Sequence, residues 1–105
     1  MSQFSVHKNK NPKTRVTYPY LVDVQSDLLS GLSTRVVVPL VKHTAVGKKL
    51  IKNLMPLVDI EGQAFVMLVP QLAGVAASEL GTSVTTIAQH RNDVVAALDF
   101  LITGI

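Results

Sequence analysis

The sequence predicts a mainly β (α+β) domain, a set of short antiparallel strands or a β-barrel followed by one long C-terminal α-helix. Three stretches carry that reading. Thr34-Arg-Val-Val-Val-Pro-Leu40 holds three consecutive β-branched residues, and its unbroken apolar run predicts a strand buried on both faces. Leu57–Ile60 and Gln63–Leu68 flank Glu61-Gly62, a two-residue link ending in glycine, which reads as a hairpin. From Ile87 onward, Val94, Val95, Leu98 and Ile102 repeat at helical spacing, and Gly104 marks the stop.

The other elements follow in chain order. Gln3–His7 alternates polar and apolar, so it reads as a first strand with Phe4 and Val6 inward. Lys8–Arg15 has turn formers and no apolar residue, and is expected to be a mobile basic loop. Val16–Val24 is rich in β-formers, but Pro19 has no N–H to give a ladder, so the strand starts there or runs along an edge. Gln25-Ser-Asp27 is a turn. Leu28 and Leu29 follow it inside a loop, where two adjacent leucines do not both face one core. Lys42–Asn53 is a basic segment with room for one helical turn. Pro70–Ser78 is small and apolar, as a tightly packed strand or crossing segment requires, and Glu79–Ser83 reads as a loop. The terminal helix starts between Thr85 and His90, with Thr85 or Thr86 as the available cap.

At 105 residues the chain makes one domain, spanning residues 1–105. It is 48% hydrophobic and only 16% charged, against about 25% charged in an average soluble domain. The surplus concentrates in the last helix, where Asp99 is the only polar residue between Val94 and Ile102. A helix apolar on all sides must be covered on all sides, and a chain of this size covers about half of it. A second chain or a partner is therefore expected there. With no cysteine, disulfides, thiol chemistry and cysteine–zinc sites are excluded, which suits a reducing cytoplasm. The longest nearly apolar run, Ala64–Ala77, is broken by Pro70 and Gln71 and falls short of the about 18 residues a membrane span needs. No secretory signal is visible, so a soluble cytoplasmic protein with no membrane contact is expected. The net charge of +3 hides an asymmetry: residues 1–52 hold nine of the ten basic residues against two acids, a balance of +7, and the second half carries −4. A basic half suits an acidic partner.

Chemistry-bearing constellations are sparse. His7, His43 and His90 stand apart from any nucleophile or carboxylate in a catalytic spacing. Asp23 and Asp27 lack further metal ligands; Asp23 is expected to face outward between Val22 and Val24, and Asp27 to close a turn. There is no phosphate loop, zinc spacing or nucleophile elbow, so no catalytic residue, metal or cofactor is assigned. Lys8, Lys10, Lys13, Arg15, Lys42, Lys48, Lys49 and Lys52 form the basic set. The five aromatic residues are too few for a base-stacking platform.

Two stretches go beyond a generic α+β domain: Leu21-Val-Asp-Val-Gln-Ser-Asp-Leu-Leu29 with Thr34–Leu40, and His90 to Ile105. With Met1-Ser-Gln-Phe and Leu54–Ile60, they resemble the CcdB family of toxins over essentially the whole chain. The resemblance implies an SH3-like β-barrel with a C-terminal helix, a homodimer, and the toxin of a type II toxin–antitoxin module. Such a toxin is not an enzyme: it binds the DNA gyrase A subunit and traps gyrase with its DNA cleaved. It also implies a CcdA-type antitoxin, whose disordered C-terminal segment folds onto the toxin and through which alone the pair meets operator DNA to repress its operon. By the resemblance, gyrase-binding positions fall on Leu28, Leu29, Asp99, Ile102, Thr103, Gly104 and Ile105. The antitoxin-binding loops fall near Lys8–Arg15 and Lys42–Leu54, which carry the basic set and fit an acidic disordered peptide. The chain departs from the common family pattern at Thr103, often Trp, at Arg91, often Glu, and at Val75-Ala76, usually Val-Pro. Two other readings stay open: a MazF-type endoribonuclease on the same barrel, which would use His7, Arg35 and nearby lysines, and a decayed toxin that binds only its antitoxin.

Overall fold

The computed structural model describes residues 2–46, 50, 51 and 53–104. Among the described residues seven strands form one antiparallel sheet: β1 (Ser5–Asn9), β2 (Tyr20–Asp23), β3 (Thr34–Lys42), β4 (Leu57–Ile60), β5 (Gln63–Met67), β6 (Ala73–Ala76) and β7 (Leu80–Thr86). The order is β4-β5-β3-β2-β1-β7, and the sheet curls into a half-barrel. A single helical turn, α1 (His43–Val46), follows β3, and the long helix α2 (Arg91–Thr103) ends the fold. The mainly β architecture with one C-terminal helix is the one the sequence predicts.

β3 is the axis of the sheet. Along one edge it pairs with β2, from Tyr20↔Leu40 to Asp23↔Val37. Its other edge is shared: β5 takes the C-terminal part at Leu40↔Met67, and β6 takes the N-terminal part at Thr34↔Ala76. Val38 and Leu40 point into the main core with Val6, Val22, Phe65 and Met67, and Ile87, Val94 and Ala97 close that core from the helix side. Val37 and Val41 point to the opposite face and are also buried. The unbroken apolar run of β3 thus has its predicted cause. The β4–β5 hairpin turns on Glu61 (φ 53°) and Gly62 (φ 82°), the two positive dihedrals that a two-residue turn of this hand needs.

Four expectations are corrected. Asp23 does not face outward; it is fully buried on the second face, where its carboxylate meets the buried Arg35. Alternation placed it correctly opposite Val22, but that face is not open to water. Glu79–Ser83 is not a loop, since β7 starts at Leu80 and pairs with β1. Gly81 hid the strand: it permits close packing, because a Cβ there would lie 2.8 Å from the Lys8 carbonyl oxygen. Lys8–Arg15 is not a loop throughout: Lys8 and Asn9 belong to β1, and residues 10–15 form an exposed loop of turns. Asn9 Nδ2 donates to Thr14 Oγ1 and to the Tyr18 carbonyl, and Asn11 accepts from the Lys13 N–H, so the segment folds into hydrogen-bonded turns. Finally, β6 is paired with β3 as a strand, yet Ala73, Gly74 and Ala76 are exposed, so the tight packing their size implied is not made within this chain.

α2 proper begins at Arg91, after a 3₁₀ turn at Ala88–His90, and Ile87 is a buried residue ahead of the helix. Thr86 Oγ1 accepts the Ala88 N–H, but the N-cap residues are Ile87 for the 3₁₀ turn and His90 for α2, neither with a side-chain cap, so the helix cap expected of Thr85 or Thr86 is not made. Gly104 adopts a left-handed conformation (φ 73°) and its N–H donates to the Phe100 carbonyl, which stops the helix. Phe4, at φ 70°, is a large residue in a region that disfavours it, and the conformation is imposed from three sides. Its N–H donates to the Asp23 carbonyl, its carbonyl accepts the Ile87 N–H, and the Arg91 guanidinium lies 5.6 Å over its ring. Arg91 therefore ties the helix start to the segment that leads into β1.

Removing one half of a buried ion pair leaves the other half uncompensated. Asp23→Ala is expected to cost about 3–5 kcal/mol in urea unfolding. Asp23→Leu combined with Arg35→Met, of similar volume, should recover most of that loss.

Candidate functional site

The segment after β2 is built around side chains that hold backbone. Asp23 Oδ2 accepts from Arg35 Nε at 2.8 Å and lies 2.6 Å from Nη2, while Oδ1 accepts the Gln25 N–H at 3.0 Å. The buried Gln25 amide bridges two backbones: its Oε1 accepts the Val36 N–H and its Nε2 donates to the Leu29 carbonyl, both at 3.0 Å. Ser26 Oγ accepts the Leu28 N–H as a cap. Asp27 Oδ1 accepts the Gln3 N–H at 2.8 Å. Each polar residue of Asp-Val-Gln-Ser-Asp thus has a partner, and together they hold a 3₁₀ turn at Asp27–Leu29.

This turn projects apolar side chains into water. Leu28 is 95% exposed, Leu29 is 50% exposed and Leu32 is also open. The sequence required only one of the leucines to be outside; both are. A flexible loop could fold such residues inward, but the clamps on Leu29 and Asp27 prevent it. The surface is preformed.

The second predicted surface is the end of α2. Only Val94 and Ala97 are fully buried, with Val95, Leu98 and Leu101 partly buried, while Ala96, Asp99, Phe100, Ile102, Thr103 and Gly104 are exposed. Ile102 is 74% exposed. Thr103 Oγ1 donates to the Asp99 carbonyl at 2.6 Å, so its hydroxyl is spent on the last helical turn. Ile105 lies outside the described residues. The two surfaces are not adjacent along the helix. Gln3 links the leucine turn to Arg91, whose Nη1 donates to Gln3 Oε1, and Ile102 lies about 16 Å farther along the axis.

The basic set divides similarly. Lys8, Lys10, Lys13, Arg15 and Lys42 are exposed, and Lys10 Nζ donates to the Ser78 carbonyl. Lys48, Lys49 and Lys52 lie outside the described residues. The histidine nearest the core, His7, is buried; a carbonyl only accepts, so its Nδ1 carries the proton donated to Gly81 O at 3.0 Å, and its Nε2 has no partner. Among the described residues no cluster of side chains suits a metal ion, and no helix is long and apolar enough to cross a membrane.

The half-barrel, the clamped leucine turn and the exposed helix end coincide with a family match: the model for the family described as CcdB protein matches residues 3–104. The chain belongs to the CcdB family. Membership makes it a toxin of the toxin–antitoxin kind, and the curled sheet with one C-terminal helix fits that family's barrel-like fold.

Sequence reasoning found the leucines and missed what holds them. The polar block was specific enough to point to the CcdB family, but nothing in it shows that Gln25 reaches both Leu29 and Val36. It also missed Arg91 over Phe4, since a cation near an aromatic ring is a contact of the folded chain only.

Two substitutions test this construction. Leu28→Ser should change stability by no more than about 0.5 kcal/mol, as for any exposed site. Gln25→Glu keeps an acceptor for Val36 N–H but turns an oxygen toward the Leu29 carbonyl. Stability should fall by about 1–3 kcal/mol, and the Leu29 and Ser30 amides should exchange faster in solvent-exchange NMR.

Proposed function

We propose that this CcdB-family toxin acts as a homodimer that binds the DNA gyrase A subunit and traps the enzyme with its DNA cleaved. The observation that carries the reading is the preformed, exposed Leu28-Leu29 turn. An apolar pair kept in water by a buried polar scaffold destabilises nothing in the fold and has no use within the chain, so it is a contact for another molecule. Asp99, Ile102, Thr103, Gly104 and Ile105 form the second part of the contact. Thr103 offers no aromatic ring and its hydroxyl is engaged, so Ile102 is the apolar anchor at this end. The protein does no chemistry: it stabilises one state of gyrase by binding it better than the others.

The homodimer is supported by β6, whose small exposed residues and open outer edge match a surface packed against a second copy, and a two-fold toxin suits a two-fold target. The antitoxin is of the CcdA type, and its acidic disordered segment is taken up by Lys8, Lys10, Lys13, Arg15, Lys42, Lys48, Lys49 and Lys52. Operator DNA is reached only through that antitoxin, and the pair represses its own operon. The site of action is the cytoplasm, where gyrase works. Against the endoribonuclease reading, His7 and Arg35 are both inside the fold, away from any RNA.

Purified protein added to gyrase and supercoiled plasmid should raise the level of cleaved DNA, and no increase at saturating dimer would remove this reading. Deleting Gly104-Ile105 should abolish the cleavage signal while leaving the melting curve and antitoxin binding intact. A truncated protein that still traps gyrase would separate the tail from the contact.

A further inference from the structure

α2 turns different faces to different surroundings. Val94 and Ala97 close the core. Ala96 and Phe100 line a groove of about 600 Å³, with Met55 and Leu57 opposite. A third face carries Arg91, Val95, Leu98 and Ile102, which follow one another at three- and four-residue steps and so lie along one side of the helix. Val95 and Leu98 are partly buried, while Arg91 and Ile102 at the two ends are exposed. This strip runs about 16 Å along the axis. It starts beside the leucine turn, because Gln3 Oε1 accepts from Arg91 Nη1 at 3.3 Å while the Gln3 N–H goes to Asp27 Oδ1 at 2.8 Å. The two exposed apolar surfaces are thus joined by one strip with a cation where they meet.

We propose that Arg91 is a specificity-determining contact of the toxin, pairing with a carboxylate of the gyrase A subunit where the target lies along the strip from the leucine turn to Ile102. The proposal rests on the reading of the chain as a gyrase poison. The two arginines near the turn differ in kind. Arg35 is buried and paired with Asp23. Arg91 is exposed, and among the described residues no acid pairs with it; of the five N–H donors of a guanidinium, one, on Nη1, is used by Gln3. The group is nonetheless held in place, 5.6 Å over the Phe4 ring and tied to Gln3. A cation fixed in advance with free donors binds at a small cost in ordering. Continuity selects the occupant: the strip is an extension of the leucine turn, so the molecule that covers Leu28 and Leu29 also meets Arg91. Charge selects the chemistry. An apolar contact that closes beside Arg91 strips water from it, which is costly unless the partner supplies an anion. The same closure lowers the local dielectric and strengthens the pair once formed. Arginine at the edge of a covered apolar patch is a common centre of binding energy for this reason.

The test is calorimetric titration of the purified gyrase A subunit with the toxin and its variants, at low and at high salt. Arg91→Gln should weaken binding about tenfold or more, and Arg91→Glu should weaken it further, because the target's carboxylate is then repelled. Arg91→Lys keeps the charge and loses the fork, so it should fall between the unaltered protein and Arg91→Gln. Affinity of the unaltered protein should drop as salt rises, and Arg91→Gln should lose part of that dependence. Thr82→Glu makes the same change in net charge at an exposed site in β7 and should bind as the unaltered protein does. Melting curves of all four variants separate binding from folding. If Arg91→Gln and Arg91→Glu weaken binding equally, in step with a lowered melting temperature and with the salt dependence unchanged, Arg91 only supports the fold and the proposal is overturned. If the Arg91 variants bind gyrase normally, or lose the antitoxin instead, the proposal falls and the gyrase reading stands. If the unaltered protein does not bind the subunit, both fall.

Discussion

The arrangement depends on one buried carboxylate. Asp23 sits fully inside the second face of the sheet and is neutralised by Arg35 from the neighbouring strand. A buried ion pair is not in itself a source of stability, since desolvation of both ions offsets most of their attraction. Its value here is positional. The oxygen that Arg35 leaves free takes the Gln25 N–H, Gln25 takes the Leu29 carbonyl and the Val36 N–H, and Leu28 and Leu29 are thereby held outward. The backbone carbonyl of Asp23 also receives the Phe4 N–H, which fixes the left-handed conformation of Phe4 and, through Ile87 and Arg91, the start of α2. One polar centre orders both the leucine turn and the approach to the helix.

The terminal helix is where the excess of apolar residues resolves. One side closes the core through Val94 and Ala97. A second side lines the groove through Ala96 and Phe100. The end exposes Ile102 in the last turn, which the Thr103 hydroxyl and the left-handed Gly104 close. A helix that only had to dock would need the first alone. The helix carries more apolar surface than docking on the core uses, and that surplus contributes to the chain's low charged fraction.

What could be read from the sequence follows the range of each interaction. The hairpin at Glu61-Gly62, the doubly buried β3 and the stop at Gly104 are set by local dihedrals and by periodicity, and all three are present as expected. The two exposed leucines were visible as an oddity of spacing. The outward reading of Asp23 went wrong because alternation says which face a residue is on, and only tertiary packing says whether that face is dry. β7 was hidden because Gly81 and a run of small hydroxyl residues carry loop-like composition, while its pairing with β1 is decided some seventy positions away. The Gln25 bridge spans only four and eleven positions but depends on how its buried side chain is packed, and the groove beside α2 joins segments far apart in the chain, so no pattern of residues marks either.

The most direct test of the account is hydrogen exchange by mass spectrometry on the toxin, free and bound to the gyrase A subunit. Binding through the clamped turn and the helix end predicts new protection in residues 26–32 and 99–105, with residues 8–15 left exchanging as in the free protein. Protection confined to the basic turns, or absent from both apolar surfaces, would contradict it.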